Sequence, residues 1–82
     1  MTAERQKEIE TAIIRVMSGL LAPIDRSKTF QSISFVGLHQ MLLSIPRSEF
    51  VEALKNIEGI QISESREIEI PTSYFLSNDK NE

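Results

Sequence analysis

The chain has 82 residues, a formal net charge of −3, 40% hydrophobic and 26% charged residues, and no cysteine. This fits one small domain of ordinary globular composition, burying only about 60–65% of its unfolded surface. It excludes disulfide scaffolds, thiolate catalysis and cysteine-bound zinc, and points to a reducing compartment.

Residues Met1 to Glu10 mix both charge signs and match neither a signal n-region nor a lipidation motif. Apolar stretches such as Ile13-Ile14 and Leu20-Leu21-Ala22 are far too short to span a bilayer. A soluble, cytoplasmic protein is expected. Opening on Met and closing on a polar tail, the chain is expected to be complete, with no attached effector or enzyme domain.

The first predicted helix runs from about Thr2 to Leu21. Thr2 can cap it, and Glu4 suits the positive end of its dipole. Ile9, Ile13, Val16, Met17, Leu20 and Leu21 recur at helical spacing on one broad face. Ala12 and Ile14 widen that face, and Ile14 lies to one side, where it is either core or a contact for a partner subunit. Pro23 stops the helix. Pro23 to Thr29 is a polar connection, and Phe30 to Ser32 reads as a short extended piece.

Ser32 or Ser34 caps a second helix over about Phe35 to Leu43, with Phe35, Leu38, Met41 and Leu42 as its buried stripe. After the turn Leu43-Ser44-Ile45, Pro46 fits the first turn of a third helix. That helix runs to about Ile57, with Phe50, Val51, Leu54 and Ile57 inward and Ala53 allowing close approach. Gly59 stands just past its end. Ile60 and Ile62 alternate with polar residues, as do Ile68 and Ile70. Pairing Ile62 with Ile68 sets Ile60 opposite Ile70 and places four isoleucines on one face of a hairpin, with Glu64-Ser65-Arg66 as its loop. Pro71 ends the second strand. Tyr74, Phe75 and Leu76 form a last apolar cluster, and Ser77 to Glu82 is expected to be a disordered polar tail. The domain is therefore 1–76 and the tail 77–82.

In pattern and order the chain resembles the winged helix-turn-helix superfamily. Phe35-Val36-Gly37-Leu38-His39-Gln40-Met41-Leu42 looks like the first helix of the motif. Pro46-Arg47-Ser48-Glu49-Phe50-Val51-Glu52-Ala53-Leu54 looks like the recognition helix. Gly59-Ile60-Gln61-Ile62 to Ile68-Glu69-Ile70 looks like the wing. The resemblance covers the first helix through the hairpin and contains no subfamily motif. It implies an α+β fold of three helices followed by a two-stranded wing, with room for a short extra strand before the second helix. It also implies one of two functions, DNA binding or protein binding.

Charge divides the motif. From Ser44 to Pro71 there are three basic and six acidic residues. Glu49 and Glu52 lie among the outward residues of the third helix, and Glu64, Glu67 and Glu69 outnumber Arg66 in the wing. Between Asp25 and Glu49, by contrast, no residue is acidic. That window holds Arg26, Lys28, His39 and Arg47 with many hydroxyls, and the starts of two helices add N–H groups that favour anions. The bland alternative is chance combined with a buried second helix.

The leading expectation is a small DNA-binding transcription regulator with its third helix toward the groove. Its contact set is Arg26, Lys28, Arg47, Ser48, Lys55, Asn56 and Arg66, with Lys28, Arg47 and Arg66 on phosphates and Ser48 and Asn56 on base edges. A homodimer through the first helix and Tyr74-Phe75-Leu76 would double these contacts; plain intrachain packing is the alternative for the tail cluster. The competing expectation is a protein-interaction winged helix, or a small subunit of a larger assembly, whose acidic wing meets a basic partner. The lone His39 is expected to face solvent or a partner rather than a metal. No phosphate loop, nucleophile elbow or catalytic triad is present, so neither an enzyme nor a cofactor is expected.

Overall fold

The computed structural model describes residues 1–76; the expected disordered tail, 77–82, lies outside the described residues. Seven elements follow in order: α1 (Ala3–Leu21), β1 (Phe30–Ser34), α2 (Phe35–Gln40), α3 (Arg47–Lys55), β2 (Gln61–Ile62), β3 (Glu67–Pro71) and α4 (Ser73–Leu76). The fold is α+β, with a three-stranded antiparallel sheet ordered β1-β3-β2.

Thr2 caps α1, its Oγ1 accepting from the Arg5 N–H at 3.0 Å. Ala22, forced extended by the proline after it, closes the helix. Ile9, Ile13 and Met17 face the core, as their spacing predicts. Leu20 does not: it is 50% exposed, and it is the next residue, Leu21, that packs against the core from the last turn of α1. Ile14 is half-buried against the core.

β1 is longer than the predicted extended piece, because it pairs with β3 along its whole length, from Phe30 opposite Pro71 to Ser34 opposite Glu67. Ser34, not Ser32, caps α2 through its Oγ and the Gly37 N–H. α2 stops at Gln40 rather than Leu43. Its hydrogen bonds tighten to a three-residue span, Met41 N–H to Leu38 O and Leu42 N–H to His39 O. The tighter turn sends Leu42 and Ile45 inward and turns Met41 outward, so Met41 (57% exposed) leaves the predicted stripe.

Pro46 is the N-cap of α3 rather than a residue of its first turn, with an extended ψ of 142°. The helix ends at Lys55, and a further tight turn carries Ile57 into the core. Phe50, Ala53 and Leu54 are fully buried, whereas Val51 is half-buried.

The hairpin keeps the predicted register, Ile62 opposite Ile68. Only Ile68 and Ile70, on the central strand, are buried. Ile62 is 44% exposed because β2 is a two-residue edge strand beyond the cover of the helices. Tyr74-Phe75-Leu76 forms α4, which packs on α1 and β3 with Phe75 buried. The Tyr74 hydroxyl donates to the Glu58 carbonyl at 2.8 Å.

Gly59 and Gly19 make opposite predictions. Gly59 has a φ of +84°, and a Cβ there would lie 2.9 Å from Pro71 Cγ. Gly59→Ala should cost about 1–2 kcal/mol or more in urea unfolding. Gly19, in α1 with open space around it, should gain about 0.5–1 kcal/mol on change to Ala.

Tyr74 supplies a second prediction. Burial first, then the Glu10 and Glu58 carboxylates, raise its pKa. The unfolded chain therefore ionises first. The stability contributed by the neutral phenol is complete below about pH 10 and is lost as pH rises through the folded-state value. Thermal unfolding of wild type should fall more steeply above about pH 10 than that of Tyr74→Phe.

Candidate nucleic-acid interface

The residues on α3 fall on different flanks. Arg47, Val51 and Lys55 recur every fourth residue and form one row, with Ser48 beside it. Glu49 and Asn56 lie on the opposite flank, where α1 runs past. Fully buried Ala53 lets the two helices meet, and Gln6 of α1 donates to the Ala53 carbonyl at 3.0 Å. Asn56 Nδ2 donates to Gln6 Oε1 at 3.3 Å, and so it is tied to α1.

Glu49 is held most firmly. Arg5 of α1 donates to its Oε1 from Nε at 3.1 Å and from Nη2 at 2.8 Å. Arg5 also reaches Glu8 through Nη1 at 3.3 Å. Hydrogen bonding to Glu49, then to Glu8, raises the already high pKa of Arg5. The Met1 amino group lies 3.7 Å from the Glu52 carboxylate. Glu49 thus does not stand outward between the cations of α3 as the sequence suggests.

Arg47 is placed by an aromatic cluster. Its guanidinium carbon sits 5.3 Å from the centre of the Phe35 ring, within cation–π range. Phe35 packs edge-on to Phe50 with ring centres 5.3 Å apart. His39 stacks on Phe50 at 4.8 Å, and its Nε2 lies 3.3 Å from the Ile45 carbonyl. The expectation that His39 faces solvent or a partner is therefore corrected: its ring is half-buried in the cluster, where it supports Phe50.

Arg66 joins the same corner. The Phe35 N–H donates to the Arg66 carbonyl at 2.9 Å, so the hairpin loop is pinned to the start of α2. Arg66 adopts a φ of +64°, unusual for a residue with a side chain. Its N–H donates to Ser63 O, and Ser63 Oγ accepts from the Glu67 N–H.

Arg26 and Lys28 do not belong to this corner. The Thr72 N–H donates to Thr29 O at 2.9 Å and its Oγ1 to Lys28 O at 2.6 Å, which fixes their loop at the far end of β3. Six residues of extended chain separate Thr72 from Arg66, about 20 Å. Buried Gln31 completes the anchor, donating from Nε2 to Thr72 Oγ1 at 2.9 Å and to the Asp25 carbonyl at 2.8 Å. The Asp25 carboxylate accepts from the Ser27 hydroxyl at 2.6 Å and the Ser27 N–H at 3.0 Å, bonds that lower its pKa. The acid-free window of the sequence is therefore not one patch.

The structure thus brings Arg47, Ser48 and Arg66 to one corner, leaves Lys55 two turns along the same row, draws Asn56 toward α1, and sets Arg26 and Lys28 apart. Sequence reading misses Arg5 and Phe35 as the residues that orient Glu49 and Arg47. A platform for Arg47 twelve residues upstream, and a partner for Glu49 forty-four residues upstream, carry no local signal.

Among the described residues no group of three or more His, Asp or Glu side chains could hold a metal, and no helix is long and apolar enough to cross a membrane. Comparisons with family models, with curated proteins and with solved structures find no match.

The Thr72 anchor can be tested directly. Thr72→Val removes a buried donor from Lys28 O and a buried acceptor from Gln31. It should cost about 1–3 kcal/mol in chemical denaturation and raise amide exchange in the 25–29 loop.

Proposed function

We propose that this chain is a winged helix-turn-helix protein that binds duplex DNA through α3 and acts as a transcription regulator. The element order from α1 to β3, the β1-β3-β2 sheet and the loop pinned to α2 support the fold assignment. One observation carries the functional reading. The exposed row of α3 offers Arg47, Ser48 and Lys55, while of the two carboxylates that would oppose a polyanion there, Glu49 is bound to Arg5 and Glu52, still exposed, lies 3.7 Å from the Met1 amino group.

On this reading Arg47 and Lys55 meet phosphates and Ser48 meets a base edge or the backbone, with Arg66 as the cation of the wing. Arg26, Lys28 and Asn56 drop out of the contact set. Glu64 and Glu67 limit the wing to one cation and leave α3 as the main contact.

A second reading draws on a different feature. From Thr29 to Pro46 the chain has no Asp, Glu, Lys or Arg, and within it Val36, Met41 and Leu43 are 55%, 57% and 71% exposed. Charge depletion with exposed apolar side chains suits the core of a protein interface. This favours a protein-interaction winged helix.

Titration of a mixed duplex pool at low salt separates the two. DNA binding predicts affinity that falls with added salt. Arg47→Ala with Lys55→Ala should weaken binding on the order of ten-fold and lower the salt slope by about 1.8. Lys28→Ala, more than a Debye length (about 10 Å) from the corner, should change affinity less than about two-fold. An absence of binding by the wild type would reject the DNA reading in favour of the second.

A further inference from the structure

We infer that Arg5 is a positioning residue for the DNA-facing surface: it holds the Glu49 carboxylate against α1 and so stops α3 from covering its own first turn with an anion. The inference rests on the nucleic-acid reading of α3.

Glu49 is the third residue of α3, counting from Arg47. A carboxylate at that position is attracted to the unpaired N–H groups of the first turn and to the positive end of the helix dipole. In a capping box it reaches back to the N-cap N–H. Here the N-cap is Pro46, which has no N–H, and no side chain caps the turn. A released Glu49 would therefore turn toward the remaining N–H groups, beside Arg47 and Ser48. That is where an incoming phosphate would sit, and the two anions would compete.

Arg5 prevents this by geometry. Two nitrogens of one guanidinium converge on a single Glu49 oxygen, at 3.1 and 2.8 Å. Glu8, one turn further along α1, steadies the guanidinium at 3.3 Å. Thr2, by capping α1 through the Arg5 N–H, fixes the backbone from which Arg5 extends. Arg5 itself need not touch the nucleic acid.

A double-mutant cycle read by duplex binding at low salt distinguishes this from a simple effect of net charge. Wild type, Arg5→Ala, Glu49→Gln and the double variant are compared by fluorescence anisotropy with one labelled duplex, at a temperature where circular dichroism shows each folded. Net charge alone makes Glu49→Gln improve binding equally in both backgrounds. Positioning makes it nearly silent in wild type, below about two-fold, and makes it restore a loss of roughly five-fold in Arg5→Ala, the scale of one close like-charge contact in water. Arg5→Met, which keeps the apolar stem, replaces Arg5→Ala should the latter unfold. Arg5→Lys, which keeps the charge but not the two-nitrogen grip, should fall between. Equal effects of Glu49→Gln in both backgrounds, or unchanged binding by Arg5→Ala, overturn the inference while leaving DNA binding standing. Absence of binding by the wild type overturns both.

Discussion

The close approach of α1 and α3 at Ala53 is the constraint on which the surface depends. A larger side chain there would hold the helices apart, since both faces are already filled by Ile9, Ile13, Phe50 and Leu54, all at most 1% exposed. Because Ala53 is small, Gln6 reaches its backbone carbonyl, and the neighbouring turns come within reach of Arg5–Glu49 and Gln6–Asn56. An apolar contact thus decides the direction taken by polar groups on both sides of it. The ion pair need not contribute much stability to matter, because partly exposed pairs are worth little in folding. What it does is orient a charge.

That orientation is invisible to a count of charges. The segment Ser44 to Pro71 carries twice as many acidic as basic residues, yet its acidic residues do not share one face. Glu49 is bound to α1, Glu52 lies 3.7 Å from the Met1 amino group, Glu58 lies beyond α3 with its backbone carbonyl engaged by Tyr74, Glu64 stands in the hairpin loop, and Glu67 and Glu69 stand on β3 opposite β1. At ordinary ionic strength charges act over about 8–10 Å. The potential near Arg47 is accordingly set by its immediate neighbours, not by the segment's total. The same reasoning removes Arg26 and Lys28, whose charges raise the basic count of the window but stand at the other end of the sheet.

What was legible in the sequence was local or periodic. Thr2 as a cap, a serine cap for α2 at one of two positions, the Ile9-Ile13-Met17 face and the Ile62–Ile68 register all follow from rules acting within a few residues or along one strand. The misses have a common cause. Met41 obeys helical spacing, but its helix tightens early; Leu20 obeys it too, but its neighbour Leu21 is the one that packs against the core. Ile62 has the right register on a strand too short to be covered. His39 has Phe35 one turn before it on α2, but the ring it stacks on, Phe50, comes from α3 and carries no local signal. At the candidate site, Arg47 and Ser48 were legible from their place at the start of α3. Arg5 was not, because only the packing of α1 on α3 gives it a role.

Under the nucleic-acid reading, the reduced contact set limits what one copy can do. Arg47, Lys55 and Arg66 would release about three counterions, a salt slope of about −2.7. A protein making about 6–10 phosphate contacts draws a large share of its affinity from them, and one copy here supplies about half of the lower number. Two copies on a two-fold site would reach that range without any new cation. Of the surfaces the sequence suggested for such pairing, the tail cluster is engaged within the chain, with Phe75 in the core and Tyr74 bonded to Glu58, while Val36, Met41 and Leu43 add a further exposed apolar surface in a stretch free of charge. Bringing two chains of net charge −3 together is least opposed where neither carries charge. The feature that favours a protein-binding reading of this fold is therefore also the one a DNA-binding reading needs.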